Sequence, residues 1–313
     1  VVVVTGAAAG LGRELSLGYA REGGELVLID IEPKGLEETG AMIEALGAKA
    51  TTFVADLSNE AGIEAVGASV LAAYPKIDVL YNNAGAAYGE VNTPIDRVAF
   101  DRFQFFIALN TLAPLYLARA LRPALAAAKG CVINQSSMAA YMPAGVYGVT
   151  KASLNQMTWG MARLFGAEGI RVNAVAPGLM ETAASASSLG ADKHAAIRAL
   201  QMLPASGSPE DIVNLGLFLG SDDARFITAE VMHCDAGHPY RGWREQGQAR
   251  HTSRNGAHPG TLPRHQHLGR RRRKTNRPES KIGAIDSDAR GASIALLTCS
   301  QRCERPLAWK RMI

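Results

Sequence analysis

The chain has 313 residues, 47% of them hydrophobic and 20% charged, a composition that suits a globular protein with a sizeable core and excludes a fibrous or wholly disordered polymer. Its apolar runs are broken by Gly, Pro or charge well before the roughly 18 residues a membrane span needs, and no basic flank marks a secretion signal, so a cytoplasmic location and no membrane partner are expected. The net charge of +4 hides a division: residues 244–313 hold 16 Lys/Arg against 5 Asp/Glu, which leaves 17 against 24 in residues 1–243.

The acidic part opens on "VVVVTGAAAGLGRELSLGYAREGG", a run of β-branched residues, a small-residue turn, and then apolar positions at helical spacing. That order predicts a buried parallel strand, a tight loop and a helix. Val1 already lies in the first strand with no initiator Met, the pattern expected of a chain truncated or trimmed at that end. The alternation then repeats. "ELVLID", "ATTFVAD", "IDVLYNNAG", "GCVINQSS", "IRVNAVAPG" and "EVMHCDAG" read as strands. Between them, "KGLEETGAMIEALG", "NEAGIEAVGASVLAAY", a long region from about 96 to 128, another from about 146 to 165, and "PEDIVNLGLFLG" read as helices. Strict alternation implies right-handed crossovers and a doubly wound parallel sheet, a Rossmann-like three-layer α/β/α fold, over residues 1–243. Residues 244–313 lack any sustained apolar period and are expected to form a basic, disordered extension.

The first turn, "TGAAAGLG", spaces Gly6, Gly10 and Gly12 between strand and helix. Glycine there lets the backbone approach a pyrophosphate, and the helix start supplies free N–H donors and a positive dipole end. Asp30 ends the second strand, where a carboxylate accepts both hydroxyls of an adenosine ribose and repels a 2′-phosphate. Neither Ala9 nor Ile31 offers positive charge, so NAD is expected over NADP. Asp56 and Leu57 after the third strand suit the adenine, and Asn83, Ala84 and Gly85 follow the fourth. All of these loops fall at the carboxyl ends of strands, where such sheets bind ligands.

"QSSMAAYMPAGVYGVTK" holds two serines, two tyrosines and a lysine. Tyr147 and Lys151 stand four residues apart at the start of a predicted helix, so their side chains share a face. An ammonium beside a phenol favours the phenolate and lowers its pKa from about 10 toward working pH, which makes a general acid/base. Tyr141 lies ten residues before Lys151, beyond Pro143 and Gly145, and is read as a loop residue that caps or packs the pocket. Cys131, Cys234, Cys299 and Cys303 show no paired spacing, so neither a metal nor a disulfide framework is indicated.

Together, Thr5-Gly6-x-x-x-Gly10-x-Gly12, Asp56-Leu57, Asn82-Asn83-Ala84-Gly85, Asn110, Ser136-Ser137, Tyr147-x-x-x-Lys151 and "PGLMET" resemble the short-chain dehydrogenase/reductases, in the branch with a single Rossmann-like domain. The resemblance runs from Val1 to about Gly242. It implies that Tyr147 exchanges a proton with the substrate oxygen, that Lys151 binds the nicotinamide ribose and tunes Tyr147, and that a serine polarises the carbonyl. It further implies that Asn110 kinks its helix and holds a water linking Lys151 to solvent. Cofactor contacts would come from Thr5, Gly6, Gly10, Leu11 and Gly12, and from Pro177, Gly178 and Thr182 beside the nicotinamide. The sequence departs from the family at the serine. Ten residues separate Ser137 from Tyr147, where thirteen is commoner; thirteen would fall on Asn134, inside a strand. A shortened loop with Ser137 as the partner is the better explanation, and Ser136 should point to the opposite side of the strand.

The stretch after Thr182, "AASASSLGADKHAAIRALQMLPASGS", is small and apolar with no arginine cluster, which suits a neutral secondary alcohol or ketone. Homodimers or homotetramers formed through the two long helices are implied by the resemblance. Two rivals to an NAD-dependent dehydrogenase are a non-catalytic nucleotide-binding regulator and a dehydrogenase whose Arg270–Lys274 cluster binds nucleic acid. The regulator would usually have lost Tyr147 or Lys151, and both are present. The tail has almost no aromatic platforms, so nucleic acid is not the expected partner; a dispensable extension, or a segment translated outside the natural frame, fits its abrupt composition equally.

Overall fold

A computed structural model describes residues 1–86, 94–181 and 191–238. Seven strands form one parallel sheet: β1 (Val2–Thr5), β2 (Leu26–Asp30), β3 (Ala50–Val54), β4 (Val79–Asn82), β5 (Cys131–Gln135), β6 (Arg171–Pro177) and β7 (Val231–Cys234). Their order is β3-β2-β1-β4-β5-β6-β7, so the chain winds outward to one edge, returns beside β1, and winds to the other. Val3 pairs with Val27 on one side and Leu80 on the other, which fixes β1 at the centre. The doubly wound fold expected from the alternating pattern is thus the fold observed.

The reason lies in the two-residue period of buried strands. Val2 and Val4 pack with Leu15 and Leu17 of α1 (Gly10–Arg21), Leu36 and Ile43 of α2 (Pro33–Ala45), and Ile212 of the helix Pro209–Gly220. Val3, between them, faces the other core, with Val66 and Val70 of α3 (Glu60–Ala73) and with Leu117 and Leu121 from beyond β4. Each fully buried aliphatic contributes about 1.5–3 kcal/mol, so the central strands are held from both faces.

The long helical region expected over about 96–128 is two helices. α4 (Phe100–Ile107) and α5 (Ala113–Ala128) are joined by a π-helical turn, Ala108–Leu112. The long helix after the serine loop is α6 (Gly145–Phe165), and α7 (Ala191–Arg198) and α8 (Pro209–Gly220) follow. α8 opens on a capping box, in which Asp211 accepts from the Ser208 amide at 2.7 Å. Among the described residues no helix is long and apolar enough to cross a membrane. Thr182 and residues 244–313 lie outside the described residues.

Candidate active site

The sheet order reverses between β1 and β4, and a crevice opens there at the carboxyl ends of the strands. A cleft of about 660 Å³ occupies it, and Gly6, Asp30, Asp56, Leu57, Asn83, Ala84 and Gly85 all contribute to its wall. Arg13, Lys34, Phe105 and Leu109 line it too, none of them singled out by sequence reasoning. Phe105 and Leu109 arrive from α4 and the π turn, and nothing in their local spacing says which loop they will cover.

The glycine turn is a cradle that side chains would fill. Gly6 and Gly10 have φ of +65° and +53°, in the left-handed region that favours glycine. A Cβ on Gly12 would lie 2.0 Å from the Gly6 carbonyl oxygen. α1 begins without a side-chain cap, so its first amides remain for a ligand. Thr5 braces the turn: its hydroxyl accepts from the amides of Asn83 and Ala84 at 3.0 and 2.9 Å, while the Asn83 side chain donates to the Thr5 and Gly6 carbonyls. Leu11 packs against the core. The Asp30 carboxylate accepts from the Ala8 amide at 2.9 Å and the Glu32 amide at 3.1 Å, which holds it at the mouth. Hydrogen bonds from Ser58 and then Asn59 keep the Asp56 carboxyl below its ordinary range. A cleft with a glycine cradle, uncapped amides and a fixed carboxylate fits the pyrophosphate and ribose of a dinucleotide.

Beyond the cleft, α6 crosses the end of β5. Tyr147, Lys151 and Asn155 recur every four residues and share the face turned to the sheet. Lys151 is 3% exposed, and burial pulls its pKa down to about 8. Its Nζ donates to the Gln135 carbonyl at 2.6 Å and stands 5.6 Å from the Tyr147 ring centroid. Two more polar contacts fasten the helix to this strand. Ser136 Oγ donates to Asn155 Oδ1 at 2.6 Å, and Asn134 Nδ2 donates to Thr158 Oγ1 at 2.9 Å.

Asn110 is fully buried in the π turn, where it accepts from the Ala86 amide at 2.9 Å and donates to Thr150 Oγ1 at 3.1 Å. A Cβ on Gly85 would lie 3.1 Å from Asn110 Oδ1 and 3.8 Å from Lys151 Nζ. Gly85 therefore marks the point where the cleft, Asn110 and Lys151 meet. Ser137 and Ser136 are divided by their surroundings. Ser137, half-buried, caps the one-turn 3₁₀ helix Met138–Tyr141 by accepting from the Ala139 amide at 3.1 Å, which leaves its hydrogen to donate elsewhere. Ser136 is 1% exposed and its hydrogen is spent on Asn155. Pro177 and Gly178 end β6 against β7, with the Gly178 amide donating to the Cys234 carbonyl at 2.8 Å.

A family model described as enoyl-(acyl carrier protein) reductase, one of the short-chain dehydrogenase/reductases, matches residues 6–238. The chain belongs to the short-chain dehydrogenase/reductase family. An uncharacterised oxidoreductase of Mycobacterium tuberculosis is 35% identical over 241 residues, covering 76% of this chain and 96% of that one. Among solved structures, L-sorbose reductase from Gluconobacter frateurii, complexed with NADPH and L-sorbose, superposes with a TM-score of 0.69 at 28% identity, over 76% of this chain and 95% of that one. A 7α-hydroxysteroid dehydrogenase complexed with NADH and 7-oxo glycochenodeoxycholic acid reaches a TM-score of 0.71 at 27% identity, over 76% and 93%. This short-chain dehydrogenase/reductase is accordingly an oxidoreductase, and its structural neighbours include both NADH and NADPH complexes.

Proposed function

We propose that the protein is an NAD-dependent dehydrogenase that interconverts a neutral secondary alcohol and its ketone. The observation that carries this reading is the buried Lys151 beside Tyr147, anchored on the Gln135 carbonyl at the lip of the dinucleotide cleft. The nicotinamide would supply or accept the hydride. What this chain contributes is position and protons. Tyr147 holds the proton that passes to or from the substrate oxygen, and the Lys151 ammonium favours its phenolate form. Ser137 donates its free hydrogen to the carbonyl oxygen and polarises it. Asn110, held by Thr150 and the Ala86 amide, lies beside Lys151 where it can support a proton path to solvent. Asp30 would accept the adenosine ribose hydroxyls, Thr5, Gly6, Gly10, Leu11 and Gly12 would hold the pyrophosphate, and Pro177 and Gly178 would serve the nicotinamide, with Thr182 added by the family resemblance.

The small, apolar composition of the stretch after Thr182, without an arginine cluster, favours a substrate without a carboxylate or phosphate. A homo-oligomer formed through α6 and the helices over 100–128 follows from the family resemblance, and Trp159 and Leu164 are exposed on α6. The catalytic domain spans 1–243 and the basic extension 244–313 is dispensable, so a chain ending at Trp243 should keep full turnover. The deciding experiment is a screen of secondary alcohols with NAD, following the absorbance of the reduced cofactor. Turnover is expected with a neutral alcohol, and a complete lack of it with alcohols and ketones in either direction would overturn the reading.

A further inference from the structure

We infer that Asn155 is a positioning residue, which sets the distance between Ser137 and Tyr147 by pinning both ends of the serine turn to the catalytic helix. The inference rests on the dehydrogenase reading above. Asn155 lies one turn beyond Lys151 on the same face of α6 and is only 4% exposed. A buried amide must satisfy both its oxygen and its NH₂ group. Here the two partners flank Ser137 along the chain. Oδ1 accepts from Ser136 Oγ at 2.6 Å, one residue before, and Nδ2 donates to Tyr141 Oη at 3.1 Å, four residues after.

The turn also packs directly on α6, where a Cβ on Gly148 would lie 2.8 Å from the Ala139 carbonyl oxygen. Its internal backbone bonds are Ala140 N to Ser137 O at 3.1 Å and Met142 N to Ala139 O at 3.4 Å, and a single 3₁₀ turn is a weak element by itself. At its start, Ser136 is also tied to β6 through its amide and the Val175 carbonyl at 2.7 Å. At its far end the Tyr141 ring packs on His233 of β7, with centroids 4.7 Å apart. Between those anchors, ten residues separate Ser137 from Tyr147, a short span in which any shift of the turn moves one hydroxyl relative to the other. Asn155 bridges the strand end and the turn end from the helix that carries Tyr147. This also gives Ser136 and Tyr141 a shared purpose: their hydroxyls hold the frame in which Ser137 works.

A residue that acts only through Ser137 has a kinetic signature that general damage lacks. Asn155→Ala should lower kcat by roughly 10- to 100-fold, the cost of misplacing a reacting group by about an ångström, while NADH affinity measured by fluorescence titration stays within twofold. In a Ser137→Ala background the same substitution should change kcat by less than about twofold, because no serine is left to misplace. An equal loss in both backgrounds, or NADH binding lost along with kcat, would overturn the inference and leave the dehydrogenase reading standing. Tyr141→Phe keeps the ring on His233 and breaks the far anchor, so it carries the same two-background test should Asn155→Ala fail to fold. A parent enzyme with no turnover on any secondary alcohol or ketone would remove both readings together.

Discussion

The two halves of the site are built from different materials. The nucleotide half, over β1 to β4, is mostly backbone: glycines that leave room, uncapped amides of α1, and one carboxylate fixed by amides. The half proposed for catalysis, over β5 and α6, is a seam of buried side chains, with Lys151, Asn155 and Thr158 each bonded to the strand or its end. A half made of backbone fails through steric intrusion. A half made of buried polar groups fails through a lost partner, since an unpaired buried donor or acceptor costs about 1–3 kcal/mol.

The sharpest division between the halves should come from Tyr147→Phe. Removing one hydroxyl should cut kcat by about 10²–10⁴-fold, the usual worth of a positioned acid/base, with NADH binding intact in a fluorescence titration. Retained turnover would place the proton transfer elsewhere. Next in size is the burial cost of Lys151. Its pKa of about 8 in the folded chain lies below the ordinary 10.5, so between those values the unfolded chain holds a proton that the folded chain has released. Stability should therefore rise with pH across that window, and below pH 8 the buried ammonium should cost roughly 3 kcal/mol. Lys151→Met, inactive but similar in length, should withstand more urea than the parent at pH 7, less whatever the bond to Gln135 contributes. That gap should close toward pH 10.5, and a gap independent of pH would mean that the ammonium is not desolvated. In the other half, Gly12→Ala drives a methyl into the Gly6 carbonyl. Overpacking of this kind costs about 1–3 kcal/mol, and where that cost falls on the bound turn NADH affinity should fall by roughly 5- to 150-fold. Undisturbed binding would show that the turn opens freely.

The same difference in materials decided what could be read from the sequence. Glycine spacing, a strand-end aspartate and a tyrosine–lysine pair are local patterns, and they point to Gly6 and Asp30, which line the cleft, and to Tyr147 and Lys151, which lie side by side on α6. The partner of Lys151 was invisible, because a backbone carbonyl such as that of Gln135 carries no residue identity. The π turn was invisible too, since one widened turn at Ala108–Leu112 barely disturbs the apolar period of a long helix. Ser136, Tyr141 and Asn155 lie 5 to 19 residues apart in the chain, and only the crossing of α6 over β5 brings them together. Arg13 reads as an ordinary charged helix residue, although it lines the cleft.

Arg13 gives the smallest predicted effect its interest. Its guanidinium lines the same cleft as Asp30 but is already engaged, donating to Glu38 at 2.9 Å, to Thr39 Oγ1 at 2.9 Å and to the Ala8 carbonyl at 2.5 Å. A 2′-phosphate entering the cleft would therefore meet the Asp30 carboxylate and an already engaged guanidinium at Arg13, with Lys34 as a further cation on the wall. Asp30→Ala removes the repulsion and releases the Ala8 amide, now spent on Asp30, as a donor to the phosphate. It also strips the ribose hydroxyls of NAD of their acceptor. Both changes act in one direction, and the loss of one charge-assisted contact, worth about 1.5–3 kcal/mol, corresponds to at least a tenfold fall in the preference for NAD over NADP. The ratio of kcat/KM for the two cofactors measures it. With NADH and NADPH complexes both found among the structural neighbours, an unchanged ratio would mean that selection lies outside the ribose corner of the cleft.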